Sequence, residues 1–200
     1  KVSSSNIPEG QKQGEILIPV VQGRRGFGSF KDCLIAHAFR IRGYEPVVLL
    51  CDADLDMCFA KRWSPNEKAA CDVCCYIGES LFERFGLDPI RMDEIGVDLP
   101  NSPTKKEHKG VPVQQYAIAS SRAYQRKYHI DPNDETTRRF RNSALYLTDV
   151  ADKVISQHEF DAVITNDSGY LIGGVFLHVA NNKGIPAWDV DVGFRPQTLL

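Results

Sequence analysis

Two short apolar runs flank a glycine-rich segment and an amphipathic stretch near the start of the chain. The runs EILIPVV at residues 15–21 and EPVVLLC at residues 45–51 consist largely of β-branched and aliphatic residues, which favours β-strands. Between them, apolar residues recur at three- and four-residue steps from Cys33 to Ile41, a spacing that predicts a helix. A strand, a helix and a second strand make a βαβ unit, so the sequence predicts a parallel sheet.

The apolar runs are nearly continuous rather than alternating, which indicates that helices cover both faces of the sheet. Similar runs at residues 160–165 and 185–190 predict two further strands, and all four strands are expected to be central. The fold class predicted is α/β, a Rossmann-like three-layer domain with a mainly parallel sheet and a cysteine-rich insertion after the second strand. We expect a flexible lead-in at residues 1–14 and a single domain over residues 15–200.

The balance of charge limits the classes of partner. The chain has 24 Lys and Arg against 26 Asp and Glu, a net charge of -2, which predicts no nucleic-acid partner. Six basic residues in the middle of the chain are interpreted as solvated helix faces: Arg122, Arg126, Lys127, Arg138, Arg139 and Arg141. The apolar runs are far shorter than the roughly 20 residues of a membrane span, so we expect no transmembrane segment and a cytoplasmic location.

Ligands of an open parallel sheet bind beyond the carboxyl ends of its strands. Four segments follow predicted strands and are expected to meet at this edge: residues 23–29, 51–56, 166–170 and 189–193. Asp167 is the carboxylate best placed to act as a catalytic general base, with a turn residue as the alternative. The predicted substrate-binding residues are Gly26, Phe27, Gly28, Ser29 and Asn166.

The glycines of the first loop have the order G-x-x-G-x-G, which differs from the G-x-G-x-x-G of dinucleotide-binding folds. Glycines allow a ligand to approach the backbone, and Ser29 can cap the helix that follows. A binding loop and a plain structural turn both remain open.

Five cysteines lie within residues 51–75. Cys51, Cys58, Cys71 and Cys74 offer four thiolates, which suits tetrahedral zinc or an iron–sulfur cluster, with Cys75 as an alternative ligand. Buried thiols without a metal are the other interpretation.

The order of these segments resembles a known family. Residues 36–45 (AHAFRIRGYE), the strand ending in Cys51 and Asp52, and residues 160–166 (FDAVITN) followed by residues 182–186 (NKGIP) form the pattern. It is similar to the N-terminal domains of GT-B-type glycosyltransferases of surface and capsular polysaccharide synthesis, in a bacterial and archaeal group with clustered cysteines.

The resemblance implies that the chain binds a carbohydrate acceptor, and that Asp167 accepts the proton of the attacking hydroxyl. The nucleotide sugar would be held by a C-terminal domain, in the same or another polypeptide, that these residues do not include. The isolated chain is therefore expected to be inactive. A cytoplasmic protein of this kind can also lie peripherally at the inner face of the membrane.

Two other classes of function remain open. A nucleotide-dependent oxidoreductase would hold pyrophosphate at residues 23–28 and ribose hydroxyls at Asp52. A non-catalytic interaction domain stabilised by metal would need only the cysteines and the sheet.

Overall fold

The computed structural model describes residues 13–23, 27–98 and 104–190. They contain a five-stranded parallel sheet in the order β3–β2–β1–β4–β5. The strands are β1 (Gly14–Val21), β2 (Tyr44–Leu50), β3 (Pro89–Arg91), β4 (Phe160–Thr165) and β5 (Ala187–Asp189). The helices are α1 (Phe27–Ile41), α2 (Glu67–Phe85), α3 (Val113–Gln125), α4 (Glu135–Gln157) and α5 (Leu171–Asn182). The predicted α/β class and parallel sheet are confirmed.

Helices cover both faces of this sheet. Ile16 and Ile18 of β1 pack in one apolar cluster with α1 and α2, to which Cys33 and Phe82 contribute. Leu17 packs in the other cluster, which α3, α4 and α5 fill with side chains such as Phe140, Ala117 and Phe176. Neighbouring residues of β1 therefore face opposite layers, as the near-continuous apolar run predicts.

The helix ends follow the capping signals of the sequence. Asn66 Oδ1 accepts a hydrogen bond from the Ala69 N–H (3.2 Å) at the start of α2, and Gly86 ends that helix with φ of 61°. Asp134 Oδ1 accepts from the Thr137 N–H (2.8 Å) at the start of α4. Side-chain caps therefore begin α2 and α4, and a left-handed glycine ends α2.

Three features of the fold differ from the prediction. The cysteine-rich segment is part of the crossover that joins β2 to β3 through α2, and not an insertion. The strand predicted at residues 185–190 is a three-residue edge strand, β5, rather than a central one. The four predicted strands do not include the other edge strand, β3, which has only three half-buried residues and no apolar run.

Two expectations concern the chain termini and membrane-spanning helices. Most of the predicted lead-in at residues 1–14 falls outside the described residues, as do residues 191–200. Among the residues that are described, none of the helices combines the length and the apolar character that crossing a membrane requires.

Candidate functional site

The candidate site lies where β1 and β4 end side by side. After β1 the chain passes through α1 to β2 on one side, whereas β4 lies on the other side and leads outward to β5. A change of direction of this kind leaves a crevice at the carboxyl edge of the sheet. Hydrogen bonds join the segments that meet here: Asn166 contacts Asp32 of α1, and Ser168 contacts Asp189 of β5.

The turn from β4 into α5 has a strained and tightly fixed backbone. Asp167 has φ of 50°, a left-handed conformation that non-glycine residues seldom adopt. The carbonyl oxygen of Asp167 accepts a hydrogen bond from the Tyr170 N–H (2.9 Å). The N–H of Ser168 donates to Asp189 Oδ2 (3.1 Å), and the Ser168 hydroxyl donates to the same oxygen. Strained strand-to-helix turns expose reactive side chains in some α/β enzymes.

Two glycines of α5 let the helix pack directly on this turn. A Cβ atom at Gly173 would lie 1.9 Å from the carbonyl oxygen of Asn166. One at Gly174 would lie 2.1 Å from Cε1 of Tyr116 and 2.5 Å from the carbonyl oxygen of Ser168. Helix α5 can therefore approach the turn this closely only because these positions lack side chains.

An open groove of about 630 Å³ runs beside the turn. One wall consists of Asp167, Ser168 and Tyr170, with Asp189 from β5. The other wall comes from α3 and the residues that follow it, and it includes Arg122, Lys127 and Tyr128. The groove thus has carboxylates and a hydroxyl on one side, and cations with an exposed aromatic ring on the other.

The Tyr170 ring is held by an aromatic cluster. Its centroid lies 5.8 Å from that of Phe59 in an edge-on arrangement, and Phe59 lies 5.9 Å from Phe140. Phe140 in turn contacts Tyr124, whose ring centroid is 5.6 Å away and which lies 5.9 Å from the guanidinium carbon of Arg62. Edge-on aromatic contacts of this kind fix ring orientation, so Tyr170 forms a firm wall of the groove.

The predicted glycine-rich binding loop is only partly described. Gly26 lies outside the described residues, and Phe27 begins α1 with a side chain that is also outside the description. Gly28 lies in the first turn of α1. Ser29 is fully buried, and its hydroxyl donates to the carbonyl oxygen of Gln22 (2.7 Å), so the expectation that it caps α1 from outside is wrong.

Close packing against α2 requires glycine at position 23. A Cβ atom there would lie 2.3 Å from the carbonyl oxygen of Cys74 and 2.5 Å from Cα of Gly78, both in α2. The close approach that this glycine permits is therefore to a helix of the same chain.

Asn166 is the predicted substrate-binding residue that the structure turns inward. Its amide nitrogen lies 2.8 and 2.7 Å from the two carboxylate oxygens of Asp32, and both side chains are buried. Asp32 carries no motif signal in the sequence, because it lies within the amphipathic pattern of α1.

The predicted metal site is not formed. Among the described residues, no group of three or more His, Cys, Asp or Glu side chains is placed to hold a metal ion, so the metal-binding prediction for Cys51, Cys58, Cys71 and Cys74 is wrong. All four thiols are free cysteines, and burial raises the pKa of Cys51 to about 12. Burial thus favours the protonated thiol at Cys51. A zinc ion or an iron–sulfur cluster as cofactor stays an untested prediction.

Asp52, which an oxidoreductase would use for ribose hydroxyls, is engaged within the protein. Its Oδ1 accepts a hydrogen bond from the Arg91 guanidinium (3.1 Å), and Arg91 also binds Glu79. This ion-pair cluster lies at the carboxyl ends of β2 and β3, two strands away from the turn that follows β4.

The groove also contains residues that the sequence did not single out. Ser168 is adjacent to Asp167 and could have been found from the same strand-to-helix turn. Its partner Asp189 is 21 residues away, and only the parallel pairing of β4 with β5 brings the two together.

Comparisons with known proteins place the fold. No family profile matches the chain, and no curated protein matches its sequence. The structure is similar to that of a CDPS, a cyclodipeptide synthase, from Fluoribacter dumoffii, with a TM-score of 0.55 and 12% sequence identity. The similarity covers 92% of this chain and 93% of the other, so it extends over nearly the whole of both folds.

This similarity overturns the glycosyltransferase prediction. A fold neighbour that aligns over nearly its full length is a cyclodipeptide synthase, and the acceptor-binding half of a two-domain glycosyltransferase is the wrong interpretation of the pattern. The βαβ segments behind that interpretation are shared by many unrelated enzymes. The chain thus has an α/β fold similar to that of a cyclodipeptide synthase, with a charged groove at the carboxyl edge of its sheet.

Proposed function

We propose that the chain is a cyclodipeptide synthase that takes its amino acids from aminoacyl-tRNA. The observation that carries the proposal is the groove of mixed charge beside the strained β4–α5 turn, in a fold similar to that of such an enzyme. The groove and the substrate can be compared group by group.

The charges of the groove match those of an aminoacylated RNA end. Such an end carries an ammonium group next to its ester carbonyl, and phosphodiesters a few ångströms beyond. Asp167 and Asp189 provide carboxylates for the ammonium group. Arg122 and Lys127 on the opposite wall provide cations for the phosphates, and Tyr128, which is 85% exposed, offers a ring on which a base can stack.

The basic residues in the middle of the chain divide into two groups. Arg139 and Arg141 are used inside the protein, where Arg139 binds Glu67 and Arg141 donates to the carbonyl oxygen of Pro132. The other four are exposed: Arg122, Arg126, Lys127 and Arg138. Two of these four, Arg122 and Lys127, line the groove in a chain of net charge -2. The proposal replaces the expectation that the chain has no nucleic-acid partner.

Formation of a cyclic dipeptide exchanges two ester bonds to RNA for two peptide bonds, and it requires no oxidant. Ser168 is the nucleophile of the proposal: its oxygen attacks the ester carbonyl of one aminoacyl group. Asp189, which already accepts the hydrogen bond of that hydroxyl, takes the proton and returns it to the departing ribose oxygen. The amino group of the residue bound to Ser168 then attacks the ester carbonyl of the second aminoacyl group, and the second RNA leaves through its ribose oxygen, which takes up a proton from the attacking amine. The amino group of the second residue finally attacks the carbonyl bound to Ser168, which closes the ring and returns the serine hydroxyl.

The test is to incubate the purified chain with a mixture of aminoacyl-tRNAs and to detect cyclic dipeptides by mass spectrometry. We expect products with the wild-type chain, and a loss of about a hundredfold or more in turnover for Ser168→Ala and for Asp189→Asn.

Ser156→Ala is the matched control, because Ser156 is an exposed serine in the last turns of α4, where its hydroxyl lies 2.9 Å from Lys183 just past the end of α5. Since α5 begins at the groove and runs away from it, this serine is remote from the proposed chemistry. Wild-type turnover in Ser168→Ala would show that the nucleophile is another group. An absence of cyclic dipeptides with every aminoacyl-tRNA would refute the proposed function.

A further inference from the structure

Several buried polar side chains are concentrated at the carboxyl edge of β1 and β4. The six are Gln22, Ser29, Lys31, Asp32, Thr165 and Asn166. Burying polar groups costs free energy unless they are hydrogen-bonded, and an apolar edge would be simpler to stabilise. A set of this kind therefore points to a requirement other than stability.

Within this set, Asp32 and Asn166 form a pair that is almost completely buried. Asp32 is 4% exposed and Asn166 is 6% exposed. The amide nitrogen of Asn166 lies within hydrogen-bond distance of both oxygens of the Asp32 carboxylate, at 2.8 and 2.7 Å. The pair connects α1 to the end of β4, across 134 positions of the sequence.

Asn166 directly precedes the strained residue Asp167, and contacts hold both the side chain and the backbone carbonyl of Asn166. Its side chain binds Asp32, while its carbonyl oxygen lies where a side chain at Gly173 would otherwise be. A left-handed non-glycine residue persists only where its surroundings fix it, so the conformation of Asp167 depends on the contacts of Asn166.

Lys31, which precedes Asp32 in α1, contacts the segment that carries Asp189. The ammonium group of Lys31 donates to the carbonyl oxygen of Val190, the residue that follows Asp189. Two consecutive residues of α1 thus anchor the two segments that carry Ser168 and Asp189.

We propose that Asp32 is a positioning residue that acts through Asn166 to hold the β4–α5 turn in the conformation that presents Asp167 and Ser168 to the groove. The inference rests on the proposed function for its kinetic consequence, and it has a structural consequence independent of it. Without the Asp32 carboxylate, Asn166 loses the two contacts that join it to α1, and the strained turn can relax away from Asp189.

Four variants separate positioning from a simple contribution to stability: Asp32→Ala, Asp32→Asn, Asn166→Asp, and the double variant D32N/N166D. Asn166→Asp brings two buried carboxylates together, which repel each other. The double variant exchanges acceptor and donor, so the hydrogen bond between the two positions is restored in reverse.

We expect Asp32→Ala and Asn166→Asp each to lower kcat for cyclic dipeptide formation by about tenfold to a hundredfold, because a displacement of the nucleophile by about 1 Å has effects of this size. Affinity for RNA should change less than threefold, since the cations of the groove lie on α3 and just beyond its end. The double variant should recover most of the wild-type kcat. Asp32→Asn retains an acceptor and should show an intermediate loss.

Amide hydrogen exchange gives a second measurement that requires no activity. The Ser168 N–H donates to Asp189, so it should exchange faster in Asp32→Ala than in the wild type, while the amide of Val48 in β2 should not change. If the wild type makes no cyclic dipeptide, the proposed function is wrong and this measurement alone decides the role of Asp32. If Asp32→Ala does not fold, the double variant decides instead.

Two results would overturn the inference. One is a folded Asp32→Ala with wild-type kcat and unchanged exchange at Ser168. The other is a folded double variant that stays as impaired as Asn166→Asp.

Discussion

At the scale of single residues, a two-point ion pair lies beside the cysteine-rich crossover. The Arg139 guanidinium binds both oxygens of Glu67 (2.7 and 2.6 Å) and reaches Asp56 through its Nε (2.8 Å). Asn142 also donates to Asp56 (2.9 Å). A two-point contact between a guanidinium and a carboxylate fixes geometry as well as charge, so this arginine ties α4 to the loop and helix that follow β2.

The Glu67 carboxylate gives a test by pH. The hydrogen bonds from Arg139 lower the pKa of Glu67 from 4.5 to about 2. Because the folded state has the lower pKa, the pair stabilises the fold fully above about pH 4.5, and its contribution is lost as the pH falls towards 2. Glu67 is 40% exposed, so solvent screens the pair and we expect a contribution of only about 1 kcal/mol.

Urea unfolding at several pH values between 2 and 7 measures this contribution. The wild type should lose more free energy of unfolding than Glu67→Gln as the pH falls through this window, and the two should converge near pH 2. Glu159→Gln removes an exposed carboxylate outside this cluster and serves as the control. Parallel pH profiles for the wild type and Glu67→Gln would contradict the prediction.

The cysteines give a second test at this scale. Burial raises the pKa of Cys51 to about 12 and that of Cys75 to about 11, so both thiols should remain protonated at neutral pH. We expect Ellman's reagent at pH 8 to modify these two thiols slowly in the native protein, and all six cysteines rapidly in urea. Mass spectrometry of the partly labelled protein identifies the sites. Fast modification of Cys51 in the folded chain would show that its surroundings are more open than the structure has them.

At the scale of elements, close contacts at glycine fix the relation of α5 to the β4 turn. Gly173→Ala would place a methyl group 1.9 Å from the Asn166 carbonyl oxygen, and backbone cannot move aside as a flexible side chain does. Overpacking of this kind costs about 1–3 kcal/mol, so we expect at least that loss in the free energy of unfolding.

Gly169→Ala is the matched control in the same turn, because no atom lies within 4 Å of the added methyl group. It should change the free energy of unfolding by less than about 0.5 kcal/mol. Equal losses in the two variants would mean that α5 does not pack on the turn as closely as described.

The elements with long apolar or amphipathic patterns could be predicted from sequence, because their signal is local. Strands β1 and β4 and all five helices are of this kind within the described ranges. Strand β3 could not be predicted, because its three residues include Pro89 and Arg91 and owe their conformation to pairing with β2.

The cysteine spacing suggested a metal site because the same spacing occurs in metal-binding loops and on helices. Cys71, Cys74 and Cys75 lie on α2 at positions i, i+3 and i+4, so they share one side of a helix. Cys71 and Cys74 are buried there as small apolar side chains. The same C-x-x-C spacing that brings thiolates to a metal in a loop brings core residues together on a helix.

The candidate site was predictable only where it follows a strand. The position of Asp167 after an apolar run was enough to single it out. Residues 166–170 and 189–193 were expected to meet at this edge, and Ser168 and Asp189 do so. Asp32 lies within the helical pattern of α1, and no local pattern shows that its side chain contacts Asn166. The family resemblance failed at the same level, since its segments specify βαβ units but not the groove built upon them.

At the scale of the whole molecule, charge is distributed unevenly across a nearly neutral chain. Four exposed basic residues lie on or near α3 and the start of α4, and two of them, Arg122 and Lys127, line the groove; the other two are Arg126 and Arg138. Binding of RNA to such a surface releases counterions, so its affinity falls with salt in proportion to the number of phosphates contacted.

We therefore expect the chain to bind tRNA with an affinity that falls steeply between about 50 and 200 mM salt. Arg122→Ala should weaken binding. It should also reduce the magnitude of the slope of log affinity against log salt by roughly 0.7 to 0.9, which is the value for one phosphate contact. The same loss is expected for Lys127→Ala, because both side chains line the groove. Fluorescence anisotropy of labelled tRNA at five or six salt concentrations measures both quantities.

Arg42→Ala is the control of equal charge. Arg42 is exposed just past the end of α1, where the neighbouring Gly43 carbonyl oxygen accepts a hydrogen bond from Gln13, before the start of β1. It therefore lies at the amino edge of the sheet, opposite the groove. If binding depends only on net charge, Arg42→Ala and Arg122→Ala will weaken it equally. If the groove is the contact surface, Arg42→Ala will leave the affinity and the salt slope at wild-type values, because its guanidinium is separated from the groove by the length of the strands.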